Sequence, residues 1–261
     1  MVSTAILLAI PILIPAPALA QAVLAPAASP QTDGLRTAAP VSAPKPDLTS
    51  EMRGDIMMAR KMYREALDFY KPGSESNAVL ANKVGIAYHQ LLDMNNAKRW
   101  YQKSIKLNPR YAEAVNNLGT IYYAQKSYRR AIDQYKKALR VNESASVLSN
   151  LGTAYFARKQ YEDAMVSYQQ ALALDPNVFE HRSTQGSVVQ ERSVEDRARY
   201  EYFMAKTYAR TGAVDRALQM IRRSLEDGFK EREKFLKEPE FAMLQENAEF
   251  KQIMATEQKV L

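Results

Sequence analysis

The chain has no cysteine, two histidines (His89 and His181), one tryptophan and only nine glycines in 261 residues. Without cysteine there is no disulfide framework, thiolate nucleophile, iron–sulfur ligation or cysteine zinc site. Two histidines are too few for most histidine-based metal sites, and neither has an acidic motif or nucleophile signature beside it. No GxxxxGKS/T or GxGxxG loop occurs, so no phosphate cradle is expected. The glutamates from Glu231 to Glu233 alternate with Lys and Arg at helical spacing and read as exposed ion pairs. These absences point away from an enzyme and from any cofactor or metal.

What is present is ordinary globular composition, 46% hydrophobic and 25% charged, with a formal net charge of +7. The first twenty residues carry no charged side chain, and the apolar run Ala5 to Ala20 ends in the small-x-small pattern Ala18-Leu19-Ala20. Residues 1–20 are therefore expected to be a signal peptide cut before Gln21, giving a periplasmic or secreted protein. The alternative is an uncleaved membrane anchor, which Pro11, Pro15 and Pro17 argue against. Residues 21–48 are rich in alanine and proline and too poor in large apolar groups to offset ordering entropy, so a disordered linker is expected there. Eight of the twelve prolines lie before residue 47.

The rest of the chain is internally repetitive. A small residue is followed twelve positions later by alanine in Gly54/Ala66, Gly85/Ala97, Gly119/Ala131, Gly152/Ala164 and Ala205/Ala217. Three after each leading residue stands Met57, Tyr88, Tyr122, Tyr155 or Tyr208. Four after each alanine stands Tyr70, Tyr101, Tyr135, Tyr168 or Ile221. Small-and-bulky alternation at helical spacing implies two antiparallel helices per unit, with the small residues permitting close approach and the tyrosines filling the space left. Asn108-Pro109 and Asp175-Pro176 end second helices.

At Leu118-Gly119-Thr120-Ile121-Tyr122 and Leu151-Gly152-Thr153-Ala154-Tyr155 the chain resembles the tetratricopeptide repeat (TPR) family. It departs from the family pattern at Ala81, Val115 and Leu148, where a tryptophan is common, and in a first repeat three residues short near Lys71-Pro72-Gly73. The fold expected is all-α: a right-handed superhelical solenoid of antiparallel helix pairs. Residues 49–178 form four repeats, 179–196 an irregular insertion with an extended segment at Gly186 to Val189, 197–228 a fifth repeat, and 229–261 a C-terminal helical cap. The cap would be held by Phe235, Leu236, Phe241, Leu244, Phe250 and Ile253.

The resemblance implies a concave groove, lined by first helices, that binds a protein or peptide. Counted from the leading glycine, its candidate binding residues are Asn82, Lys83, Asn116, Asn117 and Asn150, with Tyr123 and Phe156 as apolar anchors; Tyr202 and Phe203 hold the matching places in the fifth repeat. A row of amides suits an extended peptide, because Asn both donates and accepts; the competing reading is that these asparagines support helix-to-helix contact. Some family members clamp a terminal carboxylate with Lys and Arg on successive first helices. Here only Lys83 matches, so that clamp is not expected.

The function expected is thus a non-catalytic scaffold or adaptor in the cell envelope. The alternative is a module whose basic second helices, through Lys98-Arg99, Arg129-Arg130, Lys136-Lys137 and Arg222-Arg223, bind an anionic envelope polymer or lipid surface. Nucleic acid is not expected as a partner, and a homo-oligomer stacked through an uncapped solenoid end is possible on the same reading.

Overall fold

The computed structural model describes residues 47–180 and 193–256, and these form one helical unit. Five helix pairs follow one another: α1 (Ser50–Ala59) with α2 (Tyr63–Tyr70), α3 (Ala78–Gln90) with α4 (Met94–Leu107), and α5 (Ala112–Ala124) with α6 (Tyr128–Val141). Then come α7 (Ala145–Ala157) with α8 (Tyr161–Leu174), and α9 (Val194–Arg210) with α10 (Val214–Glu226). A short α11 (Lys234–Lys237), a 3-10 turn over Pro239–Leu244 and α12 (Ala248–Ala255) complete the described chain. Each helix packs on its pair mate, and successive pairs stack, so the architecture is an all-helical solenoid. Among the described residues no helix is long and apolar enough to cross a membrane.

The leading small residues do what the spacing implies. A Cβ added at Gly54, Gly85, Gly119 or Gly152 would lie 2.4 to 2.6 Å from the ring of Tyr70, Tyr101, Tyr135 or Tyr168 respectively. Each second-helix tyrosine ring thus packs against the backbone of the first helix, where only glycine leaves room. In the fifth pair the leading residue is Ala205 and its counterpart is the smaller Ile221, both fully buried. The hydroxyls of these core tyrosines are satisfied locally. Tyr70 donates to Asp55 (2.6 Å), Tyr135 to Thr120 (3.4 Å) and Tyr168 to Thr153 (3.3 Å), while Tyr101 meets His89 Nδ1 at 3.5 Å because Ile86 holds the equivalent place.

The turn inside each pair is equally regular. The seventh residue after each leading position has positive φ: Lys61, Leu92, Lys126, Lys159 and Gly212. The N–H of the next residue reaches back to the carbonyl of Met57, Tyr88, Tyr122, Tyr155 or Tyr208, closing the helix end as a left-handed cap does.

One boundary differs from the sequence reading. α9 begins at Val194, inside the stretch assigned to the insertion, with Ser193 Oγ capping Asp196 N–H at 3.1 Å. The extended segment expected at Gly186 to Val189, the signal peptide and nearly all of the linker lie outside the described residues. The first repeat is short because α2 has 8 residues, against 14 in α4, α6 and α8; Pro72 and the left-handed Gly73 follow its end. In the C-terminal cap Phe235, Phe241, Leu244, Phe250 and Ile253 are buried, but Leu236 is 53% exposed. A four-residue helix cannot turn two adjacent side chains to the same face.

Candidate functional site

The first helices α3, α5 and α7 line a trough of about 630 Å³. Asn82 and Lys83 come from α3, Asn116 and Asn117 from α5, and Asn150 from α7, so five of the seven expected site residues converge. They do so because equivalent positions on neighbouring first helices are brought side by side by the repeat.

The contact follows one rule. The residue two before the leading position donates to the residue three before it in the preceding repeat. Asn117 Nδ2 reaches Asn82 Oδ1 at 3.1 Å, and Asn150 Nδ2 reaches Asn116 Oδ1 at 3.1 Å. Asn116 Nδ2 and Asn117 Oδ1, 3.4 Å apart, join the two steps into one amide chain across three helices. Lys83 makes the same step in ionic form, meeting Glu51 and Asp55 of α1 at 2.7 Å each. The ladder stops at the fifth repeat, where Phe203 replaces the donor; Ser149 Oγ, which would have been the acceptor, is buried without a hydrogen-bond partner. This periodic pairing is visible in the sequence once the two register positions are read across repeats rather than within one.

Electrostatics at the N-terminal end of the trough are set by that ion-paired step. Burial works to raise the Asp55 carboxyl, but Lys83 and the Tyr70 hydroxyl outweigh it and hold it below its ordinary value. Burial likewise opposes the Lys83 charge, and the two carboxylates raise it nonetheless. His89, on the same wall, is pushed down by burial and stays neutral at physiological pH.

Tyr123 and Phe156, expected as groove anchors, are not part of this trough. Each is 6% exposed. Tyr123 packs against Tyr128, and Phe156 lies edge-on to Tyr161, Tyr200 and Phe203. In this register, four positions after the leading residue, the large rings of Tyr123 and Phe156 pack against neighbouring helices, whereas His89 in the same place lines the trough. Tyr202 is covered too: it stacks on Phe229 at 4.5 Å and meets Phe235 and Phe241, so the C-terminal cap sits where the fifth repeat would extend the groove. Sequence reasoning missed Tyr111, which lines the trough from the turn before α5, and Asn142 and Ser144 from the turn before α7. Nothing in a periodic pattern marks these linker residues; only the stacking of pairs brings them to the rim. Among the described residues no three His, Asp or Glu side chains converge to hold a metal ion.

A stack of antiparallel helix pairs with a concave face of first helices defines a helical-repeat protein. Part of it carries a particular repeat: models of the tetratricopeptide repeat family match residues 78–144 and 145–178, so the three pairs α3–α4, α5–α6 and α7–α8 are tetratricopeptide repeats. The pairs α1–α2 and α9–α10 lie outside the matched residues yet share the left-handed turn, and α1–α2 also shares the glycine–tyrosine contact.

Among curated proteins the chain is 34% identical over 71 residues to uncharacterized protein ycf37 of Pyropia yezoensis, covering 26% of this chain and 40% of the relative. It is 27% identical over 108 residues to photosystem I assembly protein Ycf3 of Rippkaea orientalis, covering 36% of this chain and 62% of the relative. It therefore spans less than two thirds of either. Similar solved structures include MamA from Desulfovibrio magneticus (20% identity, 68% of this chain and 92% of that one, TM-score 0.48). The Cut9–Hcn1 complex is another (20%, 70% and 34%, TM-score 0.49).

Proposed function

We propose that the protein is a non-catalytic scaffold that holds an extended peptide segment of a partner protein in the trough of α3, α5 and α7. The observation that carries this reading is the amide ladder. An amide side chain offers two N–H donors and two acceptor lone pairs. The ladder uses one donation and one acceptance at Asn116 and Asn117, leaving hydrogen-bonding capacity directed at whatever fills the trough. A partner's main chain, with alternating N–H and C=O groups, matches that capacity without requiring a particular side-chain sequence. The Lys83–Glu51–Asp55 cluster at one end would orient a charged residue of the segment. Tyr123 and Phe156 enter this proposal only as the packing that fixes the walls, since burial keeps both from a ligand. That one relative is named an assembly protein suits a role in holding client chains.

The place of action proposed is the cell envelope, on the strength of the uncharged apolar run Ala5 to Ala20 and its small-x-small end. Terminal sequencing of the exported product should begin at Gln21; an intact Met1 would sink the cleaved-signal reading.

The binding test is selection of peptides from a random display library, followed by titration of the winners. Asn117→Ala with Asn150→Ala should weaken binding about tenfold or more, as loss of main-chain hydrogen bonds requires. Asn142→Ala, at the rim, should cost less. Unchanged affinity in the double variant would remove the trough as the site.

A further inference from the structure

The turns inside the pairs form one long edge of the solenoid, and the linkers between pairs form the other. The two edges differ sharply in charge. Turns 60–62, 91–93, 125–127 and 158–160 hold Arg60, Lys61, Lys126, Arg158 and Lys159 against Asp93 alone. Asp93 is committed to capping α4, accepting from Asn96 N–H at 3.0 Å. The described residues of linkers 71–77, 108–111, 142–144 and 175–180 hold Lys71 and Arg110 against Glu75, Glu143, Asp175 and Glu180.

The turn-edge cations are all exposed, and none joins the ion pairs formed among the described residues. Lys61, Lys126 and Lys159 also occupy left-handed backbone positions (φ 57 to 61°), where glycine is the favoured residue and where the fifth repeat has Gly212. The backbone therefore gives no reason for lysine, and no partner among the described residues does either. In the same register stands Leu92, also left-handed and 77% exposed.

We propose that this edge docks on an anionic lipid bilayer, with the lysines and arginines against headgroup phosphates and Leu92 entering the interface. Charge complementarity alone would admit any polyanion. The bilayer is favoured because a leucine at the crest of a cationic row needs an apolar host, and lysine stems can lie along the same boundary. The uncharged run Ala5 to Ala20, expected above to direct export, would place the folded part beside a membrane. This surface is separate from the trough and leaves it open to a partner.

The test is co-sedimentation of the full chain with vesicles of phosphatidylcholine alone and of phosphatidylcholine with about one third phosphatidylglycerol. Any contact made by residues 1–46 through apolar burial is common to both vesicles and all variants. The triple variant Lys61→Gly, Lys126→Gly, Lys159→Gly removes charge while relaxing the backbone, so it should melt no lower than wild type. It should lose about tenfold or more of the affinity for anionic vesicles. Leu92→Ser should weaken the part of binding that survives high salt, and Lys71→Gln with Arg110→Gln on the opposite edge should change nothing. The proposal is overturned if wild type shows no preference for anionic vesicles or if the triple-glycine variant binds them equally well. It is also overturned if heparin is bound while anionic vesicles are not, which would make the edge a site for a soluble polyanion.

Discussion

At Gly119 a single hydrogen decides the packing of a repeat. A methyl there would meet Tyr135 at 2.6 Å against a ring that is fully buried, so neither side can yield cheaply. Gly119→Ala should destabilise by about 1–3 kcal/mol, the usual range for overpacking, measured by denaturant unfolding. Adding Tyr135→Ile should restore part of that loss, because the fifth repeat runs on the pair Ala205 and Ile221. If the two substitutions simply add, the size complementarity is wrong. Ser149 is the converse case, a buried hydroxyl left over where the amide ladder ends. Ser149→Ala should be neutral or stabilise by up to about 1 kcal/mol, since it removes an unsatisfied polar group; a loss of stability would mean the hydroxyl is in use.

At the scale of helices, α9 carries a buried carboxyl facing α10. Burial, then the charge of Asp227, pushes Glu201 up to about 7, against the opposing pull of Arg223 and Arg197. Arg197 pairs with Asp227 and holds that carboxyl below its ordinary value. The native state therefore keeps a proton on Glu201 that the unfolded chain releases near 4.5. The stability this contributes is present at low pH and is lost as pH rises through about 7. Glu201→Gln should raise the melting temperature at pH 8.5 by about 2–4 °C, for about 1 kcal/mol after solvent screening, and should not raise it at pH 5. Asp227 moves stability the other way, but only at acidic pH. Further along, Arg232 donates to the carbonyls of Ile253 (3.0 Å), Met254 (2.6 Å) and Thr256 (2.8 Å), pinning the C-terminal end of α12. Arg232→Ala should speed amide exchange over 248–255 by about tenfold, the effect of losing ~1.4 kcal/mol of local stability. Unaltered exchange would mean that Phe250 and Ile253 hold α12 alone.

For the molecule as a whole, stability in a linear stack is a sum of repeat terms and nearest-neighbour terms. The neighbour terms here include a polar step at three of the four interfaces, ionic between the first two pairs and amide in the next two, and an aromatic contact in its place where Phe203 meets Phe156. Asn117→Ala should thus loosen the α3–α5 interface by about 1 kcal/mol and broaden the unfolding transition. A merely local loss, with the transition as sharp as before, would show that the ladder does not couple repeats.

The helix-pair architecture, the five leading positions and the glycine–tyrosine contacts were legible in the sequence, because they follow from local spacing repeated in register: a helix puts residues one turn apart on one face whatever surrounds it. So was the set Asn82, Lys83, Asn116, Asn117 and Asn150, since equivalent positions of a stack must line one surface. Tyr123 and Phe156 were not legible as wall packing, nor Tyr202 as the seat of the cap. Their burial depends on which neighbour covers them, and Phe229 and Phe241 come from far along the chain. The left-handed lysines were invisible for a related reason: lysine carries no turn signal, and only the closed helix end forces its φ positive. Periodicity determined what each helix shows to its partner; the stacking of one pair on the next decided which of those side chains remain open to anything else.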